Sequence, residues 1–212
     1  MFLDNQSCRD KWIESVVQNL TPGLRVLDVG AGVARYRGLF PGHDYKTQDF
    51  NADFRPDYIG DICQIPVANS SFDVVLCSEV FEHIPEPGKA LEELHRILIV
   101  GGILVLTAPL RSRLHQEPFH FYGGFTPHWY RYFMERVGFQ VMGITPNGGF
   151  FALLGQELQY ASHSLRMESP FLWLLSLPIL RVIAPAICNF LDPVIRDYSG
   201  TVGYHVVARK MK

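Results

Sequence analysis

Charge is what this chain has least of. Only 19% of its 212 residues are Asp, Glu, Lys or Arg, and the formal net charge is -2. Nucleic-acid binding would normally show a basic face, so nothing here suggests a polyanion partner and no nucleic acid is expected. The four cysteines (Cys8, Cys63, Cys77, Cys188) show no C-x-x-C spacing, which excludes a zinc ribbon or a disulfide framework. Cys63 and Cys77 read instead as small buried residues of a reduced protein. Met1-Phe2-Leu3-Asp4 is not a basic region leading into an apolar run, so no signal peptide is expected and the location is read as cytoplasmic. Repeats and low-complexity segments are absent too. What is present is apolar: 48% of residues, enough for a sizeable core in one α/β domain with an added element.

The chain is organised around Val26-Leu27-Asp28-Val29-Gly30-Ala31-Gly32-Val33-Ala34. A short apolar strand runs into a turn where Gly30 and Gly32 permit positive φ and a close ligand approach. A helix over Arg35–Phe40 is expected next, closed by Pro41-Gly42, with its amides facing the strand tip. Arg35 stands where G-x-G-x-x-G needs its third glycine, which disfavours a dinucleotide. Asp28, two residues before Gly30, suits a ligand carrying a cation near the turn. Tyr45–Asp49 reads as a second strand. Asp49 lies 21 residues after Asp28, the spacing of an acid that accepts from ribose hydroxyls.

The phrase DVGAGVA resembles motif I of the class I S-adenosylmethionine-dependent methyltransferases, with Ala34 for the last glycine. SFDVVLCSEVFEHIPEPGKALEELHRIL resembles the corresponding section of the methyltransferase type 11 group. The resemblance covers about residues 24–145 plus the last strand. It implies a Rossmann-like α/β fold: a seven-stranded sheet, helices on both faces, last strand antiparallel. It further implies S-adenosyl-L-methionine as cofactor, held by Asp28, Gly30, Ala31, Gly32 and Asp49. Asp61 would accept from the adenine amine with Ile62 against the ring, and Ser78, Glu79 and His83 would line the pocket. A competing reading keeps the fold as a catalytically inactive binding or assembly protein, since fold does not guarantee chemistry; an NAD-dependent oxidoreductase is weaker still.

The remaining elements follow from periodicity. Arg9–Leu20 and Gly88–Leu98 read as amphipathic helices, the second ended by Gly101-Gly102. Ile103–Thr107 is the fifth strand, and Thr126-Pro127 starts a helix that stops at Gly138. Phe139–Thr145 and Thr201–Arg209 are the last two strands.

The loop from Leu110 to Phe125 carries His115, Glu117, His120 and Tyr122 after the fifth strand, at the edge where such sheets bind ligands. His115 is the first candidate base for an acceptor proton and His120 the second. Members of the resembled group read H-x-x-P-x-D-F-x-R here, so His120 replaces an acid and the arginine is absent, which bears on the acceptor. Pro118 interrupts His115, Glu117 and His120, and no further His or Cys is near in sequence, so no metal is expected. The acceptor is read as a small-molecule, glycan or lipid-linked compound, methylated at oxygen.

The whole of 1–212 is read as one methyltransferase domain with an apolar helical insertion at about 147–200. Pro178, Arg181, Pro185 and Asn189 interrupt its core, Phe171–Leu191, and count against a membrane span. Core packing is the default for these residues. The alternatives are a lid, a homodimer surface, or a peripheral membrane contact through 168–196 that caps the pocket.

Overall fold

The structure is a computed structural model and describes residues 5–212; the N-terminal tetrapeptide read for a signal lies outside them. The described chain parts into two compact units, one of residues 5–11 with 146–203 and one of 12–145 with 204–212. A helix α1 (Asn5–Val17) opens the chain. Strands β1 (Arg25–Val29), β2 (Asp44–Asp49), β3 (Tyr58–Ile59) and β4 (Phe72–Ser78) follow, then helix α2 (Pro87–Ile97) and strand β5 (Leu98–Pro109). Helix α3 (Pro127–Val137) and strand β6 (Phe139–Pro146) come next, and β7 (Gly203–Lys210) closes the sheet.

The seven strands lie in the order β3-β2-β1-β4-β5-β7-β6. Pairings from β3 through β5 are parallel, and the last strand is antiparallel. This is the expected Rossmann-like sheet. Its central strands are apolar on both sides because both faces are covered. Along β4, Val75 and Cys77 join Leu27, Leu91, Leu94, Tyr130 and Met134 on one face. Val74 and Leu76 join Ile13, Val26, Tyr36 and Tyr45 on the other. That alternation is the period of two of an extended strand.

Two local expectations fail. Arg35–Phe40 does not form an α-helix: Ala34 sits at φ 54, and only a three-residue 3-10 turn, Arg37–Leu39, fits before Pro41-Gly42. The amides facing the strand tip therefore belong to the glycine turn itself. Gly101-Gly102 does not end α2 either, because the helix stops at Ile97 and Leu98 already begins β5. At Gly102 a Cβ would lie 2.9 Å from the Ile99 carbonyl oxygen, so the glycine serves an irregular strand start. The α3 boundaries hold: Thr126 Oγ1 accepts from Trp129 N at 3.2 Å and Gly138 takes φ 109.

The other unit is helical, with α4 (Phe150–Glu168), α5 (Pro170–Leu177), a π turn over Pro178–Ile183 and α6 (Ala184–Leu191). The carboxylate of Asp192 accepts from Gly149 N at 3.0 Å and Ala152 N at 2.8 Å, capping α4. Gly155 lets α4 approach α6, where a Cβ would lie 3.3 Å from Cys188 Cβ. Core packing does not account for Phe171–Leu191, because only Pro185 and Cys188 are buried there. Pro178 does not break the helix, since the π turn absorbs its missing donor. Pro170–Leu191 is thus 22 continuous helical residues, by length and composition long and apolar enough to cross a membrane.

Candidate functional site

The carboxyl ends of β1, β2, β4 and β5 converge on one edge of the sheet, the edge that binds ligands in open α/β folds. At β1, Asp28 points inward rather than into the turn: it is 2% exposed and accepts a hydrogen bond from the Tyr45 hydroxyl. Burial pushes its carboxyl up to about 7, against the lowering effects of the Tyr45 hydroxyl and Arg37. Gly30 follows at φ 67, with its amide donating to Gln48 O at 2.9 Å and that of Ala31 donating to the same oxygen at 3.1 Å. Gly32 donates to Asp49 Oδ2 at 2.9 Å, and Asp49 Oδ1 accepts from Asn51 N at 2.9 Å. The Asp49 carboxylate is thus held rigidly at the tip of β2, each oxygen keeping a second lone pair.

A polar ladder occupies the ends of β4 and β5. Tyr36 Oη lies 3.3 Å from Ser78 Oγ, which lies 2.9 Å from Thr107 Oγ1, and that hydroxyl donates to Glu79 Oε1 at 3.0 Å. Glu79 takes φ 56, an uncommon conformation for a non-glycine residue. Asp61 is exposed with Oδ1 accepting from Cys63 N at 2.8 Å, and Ile62 is buried in the core.

The loop after β5 is pinned to the Glu82-His83 turn after β4. Phe121 N and Tyr122 N both donate to Glu82 O, at 2.9 and 3.2 Å, and the Tyr122 hydroxyl donates to Pro85 O at 3.0 Å. His83 Nδ1 lies 2.5 Å from Phe119 O. These ties gather three imidazoles: ring centroids are 4.8 Å apart for His83 and His115, 5.0 Å for His115 and His120, and 5.9 Å for His83 and His120. Burial lowers the His83 pKa, and the Phe119 carbonyl opposes that shift, while the two neighbouring imidazoles add to it. Ser112 Oγ lies 3.2 Å from His120 Nε2 and 3.4 Å from His115 Nδ1. Phe119 packs against Phe50 with tilted rings and centroids 5.7 Å apart, which links the loop to the residue after Asp49.

Gly30, Ala31, Gly32 and Asp49 are therefore one hydrogen-bonded unit, and His83, His115 and His120 are another. Ser78 and Glu79 share the ladder, and Asp28, Asp61 and Ile62 stand apart from these groups. Sequence reasoning missed Tyr45, Tyr36 and Thr107, whose partners are set by the tertiary fold, and the pairing of His83 with a loop more than thirty residues away. Only Thr107, at the end of the expected fifth strand, carried a signal.

Residues 27–106 match the family model described as a methyltransferase domain. A demethylmenaquinone methyltransferase of Renibacterium salmoninarum is 36% identical over 110 residues, covering 45% of this chain and 46% of that protein. A sarcosine/dimethylglycine N-methyltransferase of Aphanothece halophytica is 29% identical over 115 residues, covering 45% and 42%. The chain therefore aligns with less than half the length of these relatives. A Haemonchus contortus phosphoethanolamine N-methyltransferase 2, solved with S-adenosyl-L-methionine, superposes with a TM-score of 0.58 at 14% identity, covering 98% of this chain and 57% of that one. That likeness is one of fold. The resemblance to class I S-adenosylmethionine-dependent methyltransferases holds.

Proposed function

We propose that this class I methyltransferase domain binds S-adenosyl-L-methionine above Gly30-Ala31-Gly32 and methylates an oxygen of a small-molecule, glycan or lipid-linked acceptor. The observation that carries the reading is the locked pair of Gly32 and Asp49. The space where a Gly32 Cβ would sit has no atom within 4 Å, so the turn presents bare backbone to a ligand. Asp49, beside it, keeps lone pairs for ribose hydroxyls. Donor set and space both fit the cofactor.

When bound, the cofactor supplies a methyl group on a sulfonium, which is displaced in line by a nucleophile. The protein's work is then orientation and proton removal. Gly30, Ala31 and Asp49 orient the cofactor, exposed Asp61 accepts from its adenine amine while Ile62 faces the core, and Ser78, Glu79 and His83 shape the mouth. His115, exposed and hydrogen-bonded through Nδ1 to Arg113 O at 2.8 Å, accepts the acceptor's proton on its other nitrogen, with His120 as alternate.

The helical unit favours an acceptor at a membrane. Phe171, Leu174 and Leu175 are 70%, 61% and 62% exposed, an unusual apolar display for a chain's own surface. We read 168–196 as a peripheral membrane contact on the cytoplasmic side.

Calorimetric titration with S-adenosylmethionine and with NAD tests the cofactor, and labelled methyl donor with cell extract tests the reaction. Binding of S-adenosylmethionine alone with label transfer to an extractable compound is expected. Binding without transfer to any acceptor would instead favour an inactive binding protein.

A further inference from the structure

We propose that Glu82, His83 and His115 form a site for one divalent transition cation of the zinc class. One ligand atom from each of the three lies within 4.8 Å of the others, and His83 Nε2 is 3.8 Å from Glu82 Oε1. The hydrogen bonds decide which ring nitrogens are available. A backbone carbonyl only accepts, so the imidazole nitrogen facing it carries the proton. His83 Nδ1 faces Phe119 O and His115 Nδ1 faces Arg113 O, which leaves the Nε2 lone pair free for a metal on both rings. Metal-ligating histidines are oriented in this way by outer carbonyl partners.

The donor set also chooses the ion. Two imidazoles and one carboxylate suit zinc, iron, cobalt or nickel rather than magnesium or calcium, which take oxygen ligands. Three protein ligands leave at least one position for water or a substrate oxygen, the pattern of open rather than structural sites. His115 is exposed, so the ion has a path from solvent, and its binding would clamp the loop after β5 onto the turn after β4. With the ion bound, His115 is a ligand and proton acceptance passes to His120. Only this last step rests on the methyl-transfer reading.

Untagged full-length protein, stripped with EDTA and dialysed, is titrated with cobalt chloride under visible absorption and then with zinc chloride. One cobalt ion per chain, displaced by one zinc ion, is expected. His115→Ala, at an exposed loop position, should weaken zinc binding at least about 10-fold, and so should His83→Ala. His163→Ala, outside the cluster, should bind as the wild type does. Circular dichroism and thermal melts establish that each variant is folded. No stoichiometric cobalt binding in the wild type, or undiminished affinity in folded His115→Ala, overturns the site. S-adenosylmethionine titrated into the same stripped protein separates the two proposals: cofactor binding without cobalt binding rejects the metal site alone. Cobalt binding without cofactor binding rejects the cofactor reading alone.

Discussion

The amide of Gly32 donates to a carboxylate oxygen of Asp49 at 2.9 Å, so the turn after β1 and the tip of β2 are one rigid element. Asp49→Ala removes that bond together with the lone pairs assigned to ribose. Affinity for S-adenosylmethionine should fall by about 1–3 kcal/mol, the scale of hydrogen bonds to a charged group. Calorimetry on the folded variant checks this, and unchanged affinity would reject Asp49 as the ribose acid.

The two turn glycines should respond differently to alanine. At Gly30 a Cβ would lie 2.5 Å from Val80 Cγ2 at φ 67, so strain and clash both apply. At Gly32 the space is open and only the positive φ of 51 is strained, a cost of about 1–2 kcal/mol. Gly30→Ala should therefore lower the midpoint of urea unfolding more than Gly32→Ala, while Gly32→Ala should mainly weaken cofactor binding. Equal loss of stability in both would mean that Val80 yields freely.

Much of this is legible in the sequence. The glycine pair, the acid 21 residues after Asp28 and the strand periodicities suffice for the sheet, because a buried strand and a tight turn each demand particular residues locally. The failures share a cause. Asp28 turns inward to Tyr45, and His83 meets His115, through pairings set by register and loop closure, which local pattern does not encode. Phe171–Leu191 misled because apolar residues are buried by default, and composition cannot say when they are not.

The raised carboxyl of Asp28 makes stability depend on pH. Its folded value of about 7 lies above the unfolded value of about 3.9, so between those values the folded state holds a proton that the unfolded state has lost. Stability should fall as pH rises across that window, by an amount on the order of a few kcal/mol, and level off above it. Asp57 and Asp73, whose carboxyls are held low, act in the opposite sense but only in acid. Asp28→Asn keeps an acceptor for Tyr45 and should flatten the decline in melting temperature between pH 5 and 8. Parallel wild-type and variant profiles would show that Asp28 does not titrate there.

If His115 is the base, His115→Ala in EDTA-treated protein should depress turnover while leaving cofactor affinity nearly unchanged. The deficit should shrink at high pH, where the acceptor ionises unaided. Full turnover across the pH range would move the role to His120 or to no residue.

The helical unit supplies the last test. An apolar helix with only Pro185 and Cys188 buried has two ways to leave water, a bilayer or another protein. A bilayer accounts for Arg181 as well, since a long cationic side chain reaches the headgroup level while Phe171 and Leu175 lie deeper. Full-length protein should float with vesicles of phosphatidylcholine and phosphatidylglycerol. Phe171→Glu with Leu175→Glu, two exposed positions whose change leaves the packing intact, should abolish flotation. Activity toward a soluble acceptor should persist in that double variant. If neither protein floats and both sediment as dimers, the face is covered by a second copy and the acceptor need not be lipid-linked.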